Sequence, residues 1–188
     1  MAKNLEQFES GKFYHVYNRA NGSEKLFFQE KNYTYFISQL RKYLYRKVEF
    51  HAYCLIPNHF HLLIRCKEIK DYNELSDQFK KLFSAYSRAI NNQENRMGSL
   101  FMKPFKRKLI DTESYYSEVI RYIHHNPIKH GLMTNFSSYK WSSYQSLLAD
   151  GPTFLNRSFV LGWYGNRDEF IKFHEIDGKE LDKSLVLE

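Results

Sequence analysis

Two strand-like runs, Val48–Ile56 and His59–Cys66, are separated only by Pro57-Asn58, and a two-residue connection obliges the chain to turn straight back on itself. A proline suits the second position of a tight turn, because its φ is already near that of the turn. The runs are therefore expected to pair as an antiparallel hairpin. With a side-chain period of two, His59 and His61 project from one face and Phe60, Leu62 and Ile64 from the other. The apolar set can serve a helix-packed core, which leaves both imidazoles on the opposite face.

The flanking patterns build a domain around this hairpin. Phe13–Arg19 is β-branched and aromatic and ends at Asn21-Gly22, a strand followed by a turn. Over residues 31–47, Tyr33, Phe36, Ile37, Leu40, Tyr43 and Leu44 have helical spacing, with Arg41, Lys42, Arg46 and Lys47 among the polar positions. A second amphipathic helix is predicted over 72–92 from Leu75, Phe79, Leu82, Phe83, Tyr86 and Ile90. A polar loop containing Gly98 then leads, after Pro104, to a fourth strand at 105–110. The order βαββαβ predicts an α+β, ferredoxin-like antiparallel sheet with its helices on one face.

One more helix follows. Asp111-Thr112 supplies capping side chains and Tyr116, Val119, Ile120 and Ile123 a buried stripe, with the helix expected to halt near Asn126-Pro127. Residues 132–149 are aromatic and Ser-rich, and Asp150-Gly151-Pro152 marks a break. The expected organisation is one domain over 1–149 and a C-terminal extension over 150–188 packed on it, with an apolar patch at 159–164 and a short helix at 168–174.

Composition narrows the class. Of the 188 residues 43% are hydrophobic and 18% aromatic, enough for a ring-rich core and unlike a disordered chain. No apolar run long enough for a membrane span or secretory signal is present, so a cytoplasmic location is expected. Cys54 and Cys66 lie singly in apolar runs, which predicts reduced, buried thiols rather than a zinc or disulfide framework. The net charge of +7 favours a polyanionic partner.

The chemistry-bearing residues fall in two places. His59 and His61 are either hydrogen-bonded strand histidines or two neutral nitrogens for a divalent ion. Tyr122 and Asn126 are four residues apart and share a helix face. If that helix crosses the histidine-bearing sheet face, the Tyr122 hydroxyl reaches the histidines and Asn126 can add a carbonyl oxygen as third ligand. The plainer readings are a tyrosine flanking an apolar stripe and an asparagine that stops a helix. Glu118 and His125 read as solvated helix residues rather than proton relays.

His59-Phe60-His61, followed by Tyr122-Ile123-His124-His125-Asn126-Pro127-Ile128-Lys129-His130-Gly131, resembles the HUH single-tyrosine transposases, most closely the REP-associated tyrosine transposases of bacteria. Tyr14-His15-Val16-Tyr17-Asn18-Arg19 and Trp141-Ser142-Ser143-Tyr144 are similar to that family as well, so the resemblance covers roughly residues 10–148. It implies that His59 and His61, with Asn126 as third ligand, bind Mg²⁺ or Mn²⁺ and that Tyr122 is the nucleophile. It further implies a 5′-phosphotyrosine intermediate on single-stranded DNA with hairpins or palindromic repeats. His130 departs from the small residue expected there. Members act as monomers, or as dimers that combine histidines of one chain with the tyrosine of the other, and the sequence leaves both open.

DNA contact is assigned by area: Lys103, Lys106, Arg107 and Lys108 in or near the fourth strand, and Arg41 and Lys42 on the first helix. Lysines on an edge strand also guard against sheet aggregation. Tyr14, Tyr17 and Tyr53 are candidates either for base stacking or for core packing. Two other functions fit parts of the pattern: a non-catalytic single-stranded nucleic-acid-binding module of RRM-like topology, whose aromatic signature is not evident, and a small-molecule metalloenzyme, which leaves Tyr122 and Asn126 without a role.

Overall fold

The computed structural model describes residues 6–176. Strands β1 (Phe13–Arg19), β2 (Val48–Ile56), β3 (His59–Cys66) and β4 (Lys106–Ile110) alternate with helices α1 (Glu30–Leu44) and α2 (Tyr72–Gln93) in the order βαββαβ. They form one antiparallel sheet in the order β2-β3-β1-β4, the split βαβ arrangement. The Pro57-Asn58 turn closes the hairpin in the expected register, Ile56 opposite His59.

The two sheet faces differ as the period-two alternation requires. Phe60, Leu62 and Ile64 are fully buried, and Phe60 packs against Phe36 of α1 and Phe83 of α2. Burying such side chains stabilises the fold by about 1.5–3 kcal/mol each, which pins the register: a one-residue slip would expose this whole set. Tyr14 and Tyr53, candidates for base stacking, belong to this layer. Tyr14 is 0% exposed and donates its hydroxyl to the Gln7 carbonyl at 2.7 Å, and Tyr53 stacks on Phe154. Both cysteines are buried free thiols.

Helix α3 (Glu113–Lys129) crosses the other face, lying against β2 and β3. The Thr112 side chain caps it by accepting from the Tyr115 amide. It runs three residues past the expected stop, because proline's missing amide costs one bond while the next, His130 N–H to the Asn126 carbonyl at 3.0 Å, still closes the turn. The chain then leaves the helix at Gly131, whose φ of +65° is the left-handed conformation glycine adopts at helix ends.

The C-terminal segment completes the molecule through α4 (Tyr144–Leu148), α5 (Arg157–Trp163) and α6 (Arg167–Glu175). It also covers the β2 edge: Leu55 N–H donates to Trp141 C=O, Ser143 N–H to Tyr53 C=O and Asn156 N–H to Phe50 C=O, all at 2.8–2.9 Å. Edge groups that would otherwise template pairing with another chain are satisfied in this way. No helix among the described residues is long and apolar enough to cross a membrane.

Candidate active site

Four side chains named from sequence converge between the sheet and α3. His61 on β3 meets the Tyr122 ring edge-on, with centroids 5.4 Å apart, and His59 lies 5.1 Å from His61. Asn126, one turn beyond Tyr122, places Oδ1 3.3 Å from His59 Nε2. All four belong to the one chain described. Each is buried, with Tyr122 only 1% exposed.

The hydrogen bonds orient these groups. Asn126 donates Nδ2–H to the Tyr122 carbonyl at 3.0 Å, which turns its Oδ1 toward His59. His59 has an oxygen at each ring nitrogen, Asn58 Oδ1 at 2.8 Å from Nδ1 and Asn126 Oδ1 at 3.3 Å from Nε2. A neutral imidazole carries one proton. With that proton on Nδ1 for the shorter contact, a nitrogen lone pair and an oxygen lone pair face each other at Nε2, an arrangement relieved by a second ring proton or by a cation. Their 3.3 Å separation is close to the roughly 3 Å between adjacent ligands of an octahedral ion at about 2.0–2.1 Å.

His61 carries the second open nitrogen. Its Nδ1 is 2.9 Å from His15 Nε2, while its Nε2 is buried without a hydrogen-bond partner among the described residues. Burial is the main force holding the His61 pKa well below its ordinary value, helped by the cationic or potentially cationic neighbours His15, His59, His130 and Lys129. Burial likewise pushes His15 down to about 3. Neutral imidazoles are the form that binds metals. No group of three His, Cys, Asp or Glu converges as an ion site among the described residues, so a third protein ligand here would be the Asn126 amide oxygen. The donor set fits a divalent ion.

Two residues of the site escaped the sequence reading as site members. His15, on β1, faces α3 from the strand beside His61; its partner lies 46 positions away and is found only from the β1–β3 register. Lys129 stands seven residues after Tyr122, two helical turns on, with Nζ 3.5 Å from the phenol oxygen and 5.0 Å from the ring centre. Spacing alone could have indicated it. His130 packs its ring 4.5 Å from that of His59. Glu118 and His125 point elsewhere: Glu118 pairs with Arg121, and His125, half-buried rather than solvated, stacks on Phe136.

The basic residues are divided among three regions. Lys106 and Lys108 lie on the α3 side of β4, over the rings of Tyr17 and Tyr115. Tyr17 itself is half-buried beside His15 and His61. Arg107 points to the other face, over Phe8, and Lys103 is exposed in the loop before β4. Arg41 sits over Phe154 and Lys42 over Tyr43. The α1 pair is thus on the far side of the sheet from Tyr122. With α3 covering the histidine face, the open aromatic platform of an RRM-like module is also absent from the described residues.

Comparison with known proteins bears on this arrangement. Over 100 residues the chain is 28% identical to a Haemophilus influenzae (strain ATCC 51907 / DSM 11121 / KW20 / Rd) protein provisionally named a REP-associated tyrosine transposase. A solved structure of a REP-associated tyrosine transposase bound to a REP hairpin superposes with a TM-score of 0.66 at 17% identity, covering 82% of this chain and 90% of that one. The chain resembles the REP-associated tyrosine transposases in sequence and in fold. The aligned segment covers 50% of this chain and 57% of the Haemophilus relative. No family model matches the chain.

Proposed function

We propose that the protein is a transposase that cleaves and rejoins hairpin-containing single-stranded DNA through a covalent link to Tyr122. The observation that carries this reading is the set of lone-pair donors, His59 Nε2, His61 Nε2 and Asn126 Oδ1, gathered beside a tyrosine on the same helix as the amide. The relative's name and the hairpin bound to the structural neighbour support the substrate class.

In this reading His59, His61 and Asn126 would hold Mg²⁺ or Mn²⁺, which supplies Lewis-acid neutralisation of the scissile phosphate's charge. Tyr122 Oη attacks phosphorus and gives up its proton, forming the Tyr–phosphate bond. The bond to the 3′-oxygen breaks, and that oxygen leaves as a hydroxyl after taking up a proton. Attack by a 3′-hydroxyl reverses the step and conserves the bond. Lys129 holds positive charge beside the oxygen on which negative charge develops. His15, by accepting from His61 Nδ1–H, keeps the Nε2 lone pair of His61 directed outward. Tyr122 is only 1% exposed, and exposed Lys129 and half-buried His130 border the site.

The test incubates the protein with labelled hairpin DNA and Mn²⁺ or Mg²⁺ and resolves products on a denaturing gel. A protein-linked band that disappears with chelator and in Tyr122→Phe is expected. A band that survives Tyr122→Phe would remove Tyr122 as the nucleophile.

A further inference from the structure

A groove of about 1260 Å³ runs on the opposite face of the sheet from Tyr122, between α2 and residues 96–107. It exceeds the roughly 300–1,000 Å³ of small-molecule clefts. Among the described residues five cations line it, Lys80, Arg88, Arg96, Lys103 and Arg107, and no carboxylate does. Three of the five are engaged: Lys80 with Asp77, Arg96 with Glu24 and Asn91, and Arg107 with Ser76. Arg88 and Lys103 are exposed and make no ion pair or hydrogen bond among the described residues. Beside them stand Met97, 90% exposed, and Met102, 40% exposed.

This is an elongated surface. Its helical wall runs from Asn73 to Asn91 along one polar stripe of α2 that includes Ser84, Ser87 and Arg88, about 27 Å at 1.5 Å per residue. Repeated hydroxyls and amides with unpaired cations match a run of phosphates, and exposed thioether chains offer apolar contact to base faces that a duplex would hide. The groove also connects to the catalytic side. Asn18, on β1 between Tyr17 and Arg19, is one of its walls, and β4 is the outer strand of the sheet. Exposed Lys103 and Lys106 lie at the N-terminal end of that strand, Lys106 in register with Tyr17 and through it with His61. The opposite edge, β2, is covered by residues 141–156, so a polymer leaving the Tyr122 side rounds the sheet at β4.

We propose that this groove is a track for unpaired DNA flanking the hairpin, with Arg88 and Lys103 neutralising its phosphates and Met97 and Met102 supporting its bases. The assignment of the strand as a hairpin flank rests on the function proposed above; the groove's affinity for a single strand does not.

The experiment titrates the full chain and its Arg88→Ala/Lys103→Ala variant, by fluorescence anisotropy, with four probes: a blunt hairpin, the same hairpin with an unpaired extension, an unstructured oligothymidylate and its ribonucleotide counterpart. The extension is expected to tighten wild-type binding. The variant should lose on the order of tenfold on the extended hairpin and little on the blunt one, with a log–log salt slope smaller by about two. Equal losses on both hairpins, or none, overturn the proposal. If wild type binds no hairpin yet binds oligothymidylate through the two cations, the groove stands and the transposase reading falls. If the strand that depends on Arg88 and Lys103 is preferentially the ribonucleotide, the assignment to DNA is overturned.

Discussion

The 2.9 Å contact between His15 Nε2 and His61 Nδ1 joins two strands and leaves each ring with one nitrogen that has no hydrogen-bond partner among the described residues. Only one proton direction leaves a lone pair on His61 Nε2, with Nδ1–H of His61 donating to His15, and under the proposed function that lone pair would hold the metal. Partners of this kind typically set metal affinity by 10–100-fold. His15→Ala is therefore expected to weaken Mn²⁺ binding by about that factor in the folded protein, and His15→Gln, whose carbonyl can accept the same proton, to restore part of it. Titration calorimetry with Mn²⁺ checks both, and unchanged affinity in His15→Ala would mean that His61 is oriented by something else. Asn126→Ala should give a smaller loss, since water can replace one oxygen ligand; an affinity equal to wild type excludes Asn126 as a ligand. The pair His59 and His61 was legible because a strand has period two, and Tyr122 with Asn126 because a helix brings i and i+4 together. His15 was not, since its role depends on a neighbour in another strand.

At the scale of elements, the sheet and its two covering helices were readable because each buries one face and so carries a periodic pattern. In the C-terminal segment the short helix expected at 168–174 is present as α6 (Arg167–Glu175), but the segment attaches to the sheet in a way that has no periodic signature. It meets β2 through isolated bridges at Ser142 and Leu155, and it encloses α3 so that Arg121 and His124 are buried along with the apolar stripe. Such burial of polar side chains depends on partners some fifty positions away and leaves little local trace. Phe170 of α6 is the apolar anchor of this attachment, 0% exposed and packed against Tyr144, Tyr164 and His174. Truncating a buried phenylalanine costs about 3–5 kcal/mol. Phe170→Ala should lower the urea midpoint by the corresponding amount if α6 unfolds with the sheet. A midpoint unchanged for the sheet, with early loss of helical signal, would make the C-terminal segment a separately melting unit.

A directed chain of hydrogen bonds ties the C-terminal segment to α3 and the sheet. His174 donates Nδ1–H to the Phe170 carbonyl at 2.8 Å, so its Nε2 accepts from His124 Nδ1–H at 2.8 Å. His124 Nε2 then accepts from the Ser143 hydroxyl at 2.7 Å, and Ser143 Oγ accepts from the Tyr53 amide at 2.8 Å. The chain links α6, α3 and the β2 edge, and it works only while both imidazoles are neutral. Burial is the leading cause that pushes His174 down to about 3 and His124 well below its ordinary value. In the unfolded chain both titrate near 6.5. Between that value and about 3 the unfolded state binds protons the native state refuses, so ν_U − ν_N is positive and stability falls as the pH is lowered. The slope contributed is at most about 1.4 kcal/mol per pH unit for each histidine. Urea unfolding followed from pH 7 to 4 should show this steep acid loss. His174→Gln, which can still donate and accept but cannot titrate, should reduce the slope by about one proton even where its stability at pH 7 is lower. A variant with the wild-type slope would show that His174 is protonated in the folded protein and that the chain of hydrogen bonds tolerates the charge.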